Sequence, residues 1–247
     1  MNPRKLMARL NASTVRFDTG RGGIPEFTPQ DIAWSLAYVR DELAREVFCA
    51  IWAPELARLA RADILRHLRA EVLREFGERA RAYSIAALDL HVAECETSAR
   101  LQVSADDRKQ VARLRDRRDV ARARRWPGEP AVYAKVCAAV LTELSNGAIC
   151  GECEGRGYVQ YSALTKACPA CAATGKEPAL DVWRARCIDK LRVFTDGYGD
   201  QRNDASAYVR TWRPVYQWTF ELAAAKEIVA ANQVAAALSR DEAREAA

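Results

Sequence analysis

The chain has 247 residues, 49% of them apolar and 29% charged, with a formal net charge of +5. That balance excludes a disordered polypeptide, and the length suffices for one large domain or two small ones with real cores. No stretch approaches the roughly 18–20 apolar residues of a membrane span, and the basic opening MNPRKLMARLNAS lacks the apolar centre of a secretory signal, so a reducing cytoplasm is the expected compartment.

Residues 1–27, with Gly20, Gly22 and Gly23 and no helical period, read as a flexible arm. Thr28-Pro29-Gln30-Asp31 supplies an N-cap, a first-turn proline and an acid, and Ile32, Leu36, Val39, Leu43 and Val47 then share one helical face. Pro54 opens a second helix through Leu56, Leu59, Ile64, Leu68 and Val72, ending at Gly77, and a third runs over about 78–97. Together these form an N-terminal helical region, 28–103. Ser104-Ala105-Asp106-Asp107 caps a fourth helix that the run Trp126-Pro127-Gly128-Glu129-Pro130 breaks. Val132, Val136, Val140 and Leu144 line a fifth, stopping at Asn146-Gly147. After Pro178, Leu180, Trp183, Cys187, Leu191 and Phe194 make the apolar stripe of a sixth, with Trp183 in the core. The polar stretch TDGYGDQRNDAS separates it from a last helix, kinked or started at Pro214 and reaching about 238. The expected fold is all-α, a helical body over 104–247 with a four-cysteine, zinc-ribbon-like insert at 149–175 and short strands only near the cysteines.

Four of the eight cysteines form CGEC at 150–153 and CPAC at 168–171. Two Cys-x2-Cys knuckles at this separation suit one tetrahedral zinc, with Cys150, Cys153, Cys168 and Cys171 as ligands. Four thiolates leave no position for water or substrate, so the single zinc is structural; a redox dithiol is the rival reading. Gly155 and Gly157 follow the first knuckle and Gly175 the second, where tight loops call for them, while Ala173 stands where the other glycine belongs. Cys49, Cys95, Cys137 and Cys187 sit singly in apolar, helix-patterned segments and read as small core residues.

Positive charge is concentrated. The run RKQVARLRDRRDVARARR at 108–125 holds nine Lys or Arg against Asp116 and Asp119, an excess larger than that of the whole chain. Val111, Leu114 and Ala121 give a thin apolar face; Arg113, Arg117 and Arg124 share another, with Arg118 and Arg125 beside them. Such a stripe is either a solvated face paired with acids elsewhere or a contact for phosphate backbones or a polymerase surface. Arg184, Arg186, Lys190 and Arg192 lie off the apolar stripe of the helix after the zinc segment, as in a recognition helix, and Arg210 and Arg213 precede the last helix. His67 and His91 are isolated, and no HExxH, GxSxG, P-loop or dinucleotide fingerprint occurs, which argues against an enzyme.

In their order, the helix AVYAKVCAAVLTEL, the knuckle NGAICGECEGRG, a second knuckle, a short Trp/Arg-bearing helix and the segment YVRTWRPVYQWTFELAAAKEIVAANQVAAAL resemble the late-gene antitermination protein Q of lambda-type bacteriophages. The Val-Ser-x-x-Asp-Arg-Lys start of the basic helix at 103–109 belongs to the same resemblance, which covers roughly residues 95–238. It implies a factor in the bacterial host cytoplasm that binds double-stranded DNA at the late promoter. Such a factor engages RNA polymerase, with sigma factor and elongation factors as further partners, and makes it read through terminators into late genes. It carries over Cys150, Cys153, Cys168 and Cys171 as zinc ligands, and it implies neither a membrane partner nor a small-molecule substrate. Three alternatives stand beside it: a zinc-containing DNA-binding regulator without antitermination activity, a chaperone-like interaction module, and an enzyme of unrecognised type.

Overall fold

The computed structural model describes residues 34–53, 61–100, 102–161, 164–195 and 201–245. Most of these are helical: α1 (Glu42–Trp52), α2 (Arg61–Ser98), α3 (Ala105–Ala123), α4 (Pro130–Asn146), α5 (Asp181–Cys187) and α6 (Arg213–Glu245). Strands β1 (Tyr158–Tyr161) and β2 (Leu164–Ala167) pair antiparallel, as do β3 (Arg192–Thr195) and β4 (Gln201–Asp204). Among the described residues, no helix is long and apolar enough to cross a membrane. The expected arm at 1–27, the cap at Thr28 and the helix start at Pro54 lie outside the described residues.

The chain divides into two compact units within α2 and α4: one of residues up to Arg69 together with Ala134 onward, the other Ala70–Tyr133. The smaller unit runs across position 103/104. The reason is local, because α3 finds its partners on the helix that immediately precedes it. In the smaller unit, Arg117 meets Asp89 at 3.0 Å and Arg115 meets Glu94 at 2.7 Å, so α2 and α3 run antiparallel. Leu90, Ala93 and Val111 are buried between them, with Leu114 packed against the cluster. At the other end of the hairpin the Arg79 guanidinium lies over the Trp126 ring. The Ser104 cap forms as expected, its hydroxyl accepting from the Asp107 N–H while the Asp107 carboxylate returns to the Ser104 N–H.

In the larger unit α1 lies along α6. Trp52 Nε1 donates to the buried Glu227 carboxylate at 2.8 Å, the Arg40 N–H donates to Gln233 at 3.0 Å, and Lys226 pairs with Asp41. The Ser145 hydroxyl of α4 donates to the Ala50 carbonyl of α1 at 2.9 Å. Val136, Val140 and Leu144, the stripe expected of α4, are all buried, as are Val47, Phe48 and Ile51 of α1 and Val215, Tyr216, Ala223 and Val234 of α6.

Several expected boundaries move. The helix expected across Leu36–Val47 is broken, because the Asp41 carboxylate accepts from the Ala44 N–H at 3.0 Å and caps a new helix there. Gly77 does not end α2. A helical glycine costs about 1 kcal/mol relative to alanine, and the flanking sequence tolerates it: Arg74 pairs with Glu71 and Glu78, Arg79 with Glu75, and a Cβ at Gly77 would touch nothing. The helix after Pro178 ends at Cys187, because Arg192–Thr195 pairs with Gln201–Asp204, inside the stretch expected to be a polar turn. Leu180 and Phe194 are accordingly exposed rather than core. Before Pro214, the Arg213 N–H donates to the Tyr208 carbonyl across a five-residue turn; this widened turn accommodates a proline that has no N–H to give.

Candidate metal centre

The four cysteines meet as expected. Their sulfurs all lie within 4.8 Å of one another and all four side chains are buried. Cys150 and Cys168 are 3.9 Å apart and Cys153 and Cys171 3.7 Å, far too long for disulfides near 2.05 Å. A tetrahedron with metal–sulfur bonds of about 2.3 Å has edges of about 3.8 Å, so both separations fit four thiolates around one ion. The residues present could hold one metal ion, and such a set fills its coordination.

The two knuckles fold alike. The Gly157 N–H donates to Cys153 Sγ at 3.2 Å and the Gly175 N–H to Cys171 Sγ at 3.3 Å, each four residues on. The Arg156 N–H donates to the Cys153 carbonyl and the Thr174 N–H to that of Cys171. The loops also clasp each other: the Cys150 N–H donates to the Gly175 carbonyl and the Cys168 N–H to the Gly157 carbonyl, both at 3.0 Å. N–H groups aimed at sulfur orient the thiolates and offset their negative charge. Backbone N–H groups, Cys153 first, hold the Cys150 thiol below its ordinary value, whereas burial pushes Cys168 up and Cys171 up to about 12. Metal must displace those protons, so affinity falls as pH falls.

Matching turns need matching backbone. Glu154, Gly155 and Gly157 have φ of 51°, 79° and 79°; Ala172, Ala173 and Gly175 repeat them at 48°, 67° and 74°. A Cβ at Gly175 would lie 2.5 Å from the Gly155 carbonyl oxygen, so that glycine is dictated by contact as well as by φ. Ala173 sits left-handed where the first knuckle has glycine, a conformation that costs an L-residue roughly 1–2 kcal/mol. Ala173→Gly is therefore expected to stabilise the insert by about 1 kcal/mol once the entropy of glycine is set against the relief. A roughly fivefold higher chelator concentration for half-release of metal would show it; an unchanged midpoint would contradict it.

The insert is tied to the helical body at its exit. The Glu177 N–H donates to the Ala148 carbonyl at 2.8 Å, and the Lys176 ammonium lies 4.7 Å from the centre of the Trp52 ring of α1. A second junction follows. Glu143 of α4, almost fully buried, accepts from Arg184 Nη2 at 2.6 Å, Arg184 Nε at 3.0 Å, the Tyr216 hydroxyl at 2.7 Å and the Ala179 N–H at 2.9 Å. The Arg184 guanidinium also covers the rings of Tyr216 and Phe220. Burial alone would lower the Arg184 pKa, but the Glu143 carboxylate outweighs it and holds it above the ordinary range.

Comparison with protein-family models, characterised proteins and solved structures finds no match.

The expected cationic contacts separate by position. Arg184 is the correction: it is buried in the Glu143 pair and presents nothing to a ligand. Arg213 pairs with Asp181, and Lys190 lies over the Trp212 ring. Arg186, Arg192 and Arg210 are exposed, Arg192 on a strand rather than a helix. On α3, Arg117 is held by Asp89 and Arg118 by its neighbour Asp119, while Arg113 is exposed, as are Arg124 and Arg125 just past the helix end, Arg125 near the Tyr83 ring. Part of the basic run thus pairs within its own hairpin. Of the isolated cysteines, Cys137 is buried and Cys95 is exposed, against expectation. Glu143 had no sequence signal, because its partners lie 36, 41 and 73 residues away.

Proposed function

We propose that the chain is a zinc-containing DNA-binding transcription factor that engages bacterial RNA polymerase at a phage late promoter and makes it read through terminators. The observation that carries this reading is the four-thiolate clasp fixed between α4 and α5. It spends no coordination position on chemistry, and exposed cations follow it, Arg186 on α5 and Arg192 on β3. Zinc suits four thiolates in a tetrahedron without redox demands. The order of segments shared with the Q antitermination proteins supplies the polymerase and terminator part of the reading. The basic α3 and the cations after the clasp are surfaces of separate units, and each is proposed as a phosphate contact.

Transcription from a cognate late promoter with purified polymerase tests the reading directly. Terminator readthrough that rises with added protein and requires the promoter sequence is the expected result. DNA binding with unchanged readthrough would leave a regulator without antitermination activity. The α3 contact has its own test. With Arg113, Arg117 and Arg118 replaced by alanine, the slope of log affinity against log salt should flatten by about 2–3. An identical slope would mean that α3 is a solvated, internally paired face.

A further inference from the structure

The metal centre makes no use of the β3–β4 ribbon. β3 reads Arg-Val-Phe-Thr and β4 Gln-Arg-Asn-Asp, paired so that Arg192 faces Asp204, Val193 faces Asn203, Phe194 faces Arg202 and Thr195 faces Gln201. Residues directly opposite each other share a face, and successive residues alternate between faces. One face therefore carries Arg192, Phe194, Arg202 and Asp204, the other Val193, Thr195, Gln201 and Asn203. Every residue of β3 is exposed, as are Gln201, Arg202 and Asn203 of β4. A ribbon open on both faces buries no core of its own, and two strands alone are marginal. What it presents is surface.

The first face has a definite chemistry. Phe194 is 50% exposed, the most exposed aromatic ring among the described residues. Arg202 stands directly across from it, and Arg192 lies two residues along the same strand, about 7 Å away. Asp204, the one acid of this face, accepts from the Ser206 N–H at 2.8 Å and feels the charges of Arg192 and Arg210 more weakly. Three arginines against one acid leave a positive excess beside an open ring. A strand of nucleic acid with unpaired bases matches both features, because its phosphates meet guanidinium groups while a base stacks on the ring. A duplex offers the same phosphates but hides its base faces within the stack. It shows only groove edges, and a phenyl ring has no donor or acceptor with which to read them.

We propose that this face of the β3–β4 ribbon binds single-stranded nucleic acid, one unpaired base stacking on Phe194 and the neighbouring phosphates meeting Arg192 and Arg202. It shares Arg192 with the phosphate contact proposed above, yet requires neither promoter nor polymerase. Unpaired DNA and unpaired RNA offer the same base face and the same phosphate, and only the sugar distinguishes them.

Fluorescence anisotropy of labelled oligothymidylate, oligouridylate and a mixed-sequence duplex, each titrated with the full chain, tests this. The expected result is single-strand binding that Phe194→Ala weakens about tenfold while duplex affinity stays unchanged. Phe194→Trp should preserve the binding and Phe194→Leu should not, because leucine keeps the apolar bulk and lacks the ring face. Arg192→Ala with Arg202→Ala should flatten the single-strand slope of log affinity against log salt by about 1.4. All three positions are exposed, so the melting midpoint should not move; should alanine loosen the ribbon, the tryptophan and leucine variants carry the comparison. Tighter binding of oligouridylate names RNA as the source, and tighter binding of oligothymidylate names DNA. No binding of either single strand would overturn the proposal and leave the face to a protein partner. Binding indifferent to the ring, or a duplex affinity that falls equally in Phe194→Ala, would overturn it too. Duplex binding without single-strand binding sinks this contact alone, whereas the reverse leaves it standing without the promoter reading.

Discussion

Replacing Cys168 by serine should remove the bound metal and unfold residues 149–175 while the main helices persist. Cys168 is one corner of a cluster whose sulfurs lie within 4.8 Å of one another, and its N–H also closes the clasp onto the Gly157 carbonyl. Structural four-ligand zinc sites supply roughly 10–16 kcal/mol in small peptides, comparable with the whole stability of a domain. Little in the insert can substitute for that. The buried residues of its cluster are the cysteines themselves, with the half-buried Val159 packed against them, and a two-stranded hairpin such as β1–β2 is marginal alone. Metal content per chain should fall to near zero, and proteolysis should open between Cys150 and Cys171. The α1–α6 packing, which does not run through the insert, should keep most of the far-ultraviolet helical signal. Unchanged metal content, or a protease-resistant insert, would contradict the four-thiolate assignment.

The second large effect is expected at Arg184. Arg184→Ala leaves the Glu143 carboxylate, 2% exposed, with the Tyr216 hydroxyl and the Ala179 N–H but no cation. Breaking one side of a buried pair typically costs about 3–5 kcal/mol, which for a unit of this size is a melting midpoint lower by roughly 10 °C. Replacing both members together, Glu143→Leu with Arg184→Met, should cost much less than the two single changes summed, because no charge is then left uncompensated. A fully additive double variant would mean that the guanidinium acts through its packing on Tyr216 and Phe220 rather than through the carboxylate. The fold consequence is specific: this pair fixes α5, and hence Arg186, against α4 and α6.

What could be read in advance follows the range of the interactions. The Ser104 cap, the break at Trp126–Pro130, the α4 stripe and the four ligands all depend on residues within a few positions of each other, or on thiol chemistry that leaves few options. They appear where the spacing places them. The sequence pattern points Arg184 to solvent because it lies off an apolar stripe. That stripe is not the buried face: α5 is too short to need one, and the side chains that decide its orientation, Glu143 and Tyr216, come from other helices. The strand at Arg192–Thr195 was hidden for the same reason, since pairing with Gln201–Asp204 outweighs a weak helical pattern. Gly77 shows the converse error, a local stop signal overridden by a long helix with ion pairs on both sides.

X-ray absorption at the zinc edge of the purified full chain tests the central claim most directly. Four sulfur neighbours at about 2.3 Å, with no nitrogen or oxygen in the shell, are the predicted result. Fewer than four sulfurs, a light-atom neighbour, or no bound zinc at all would contradict it.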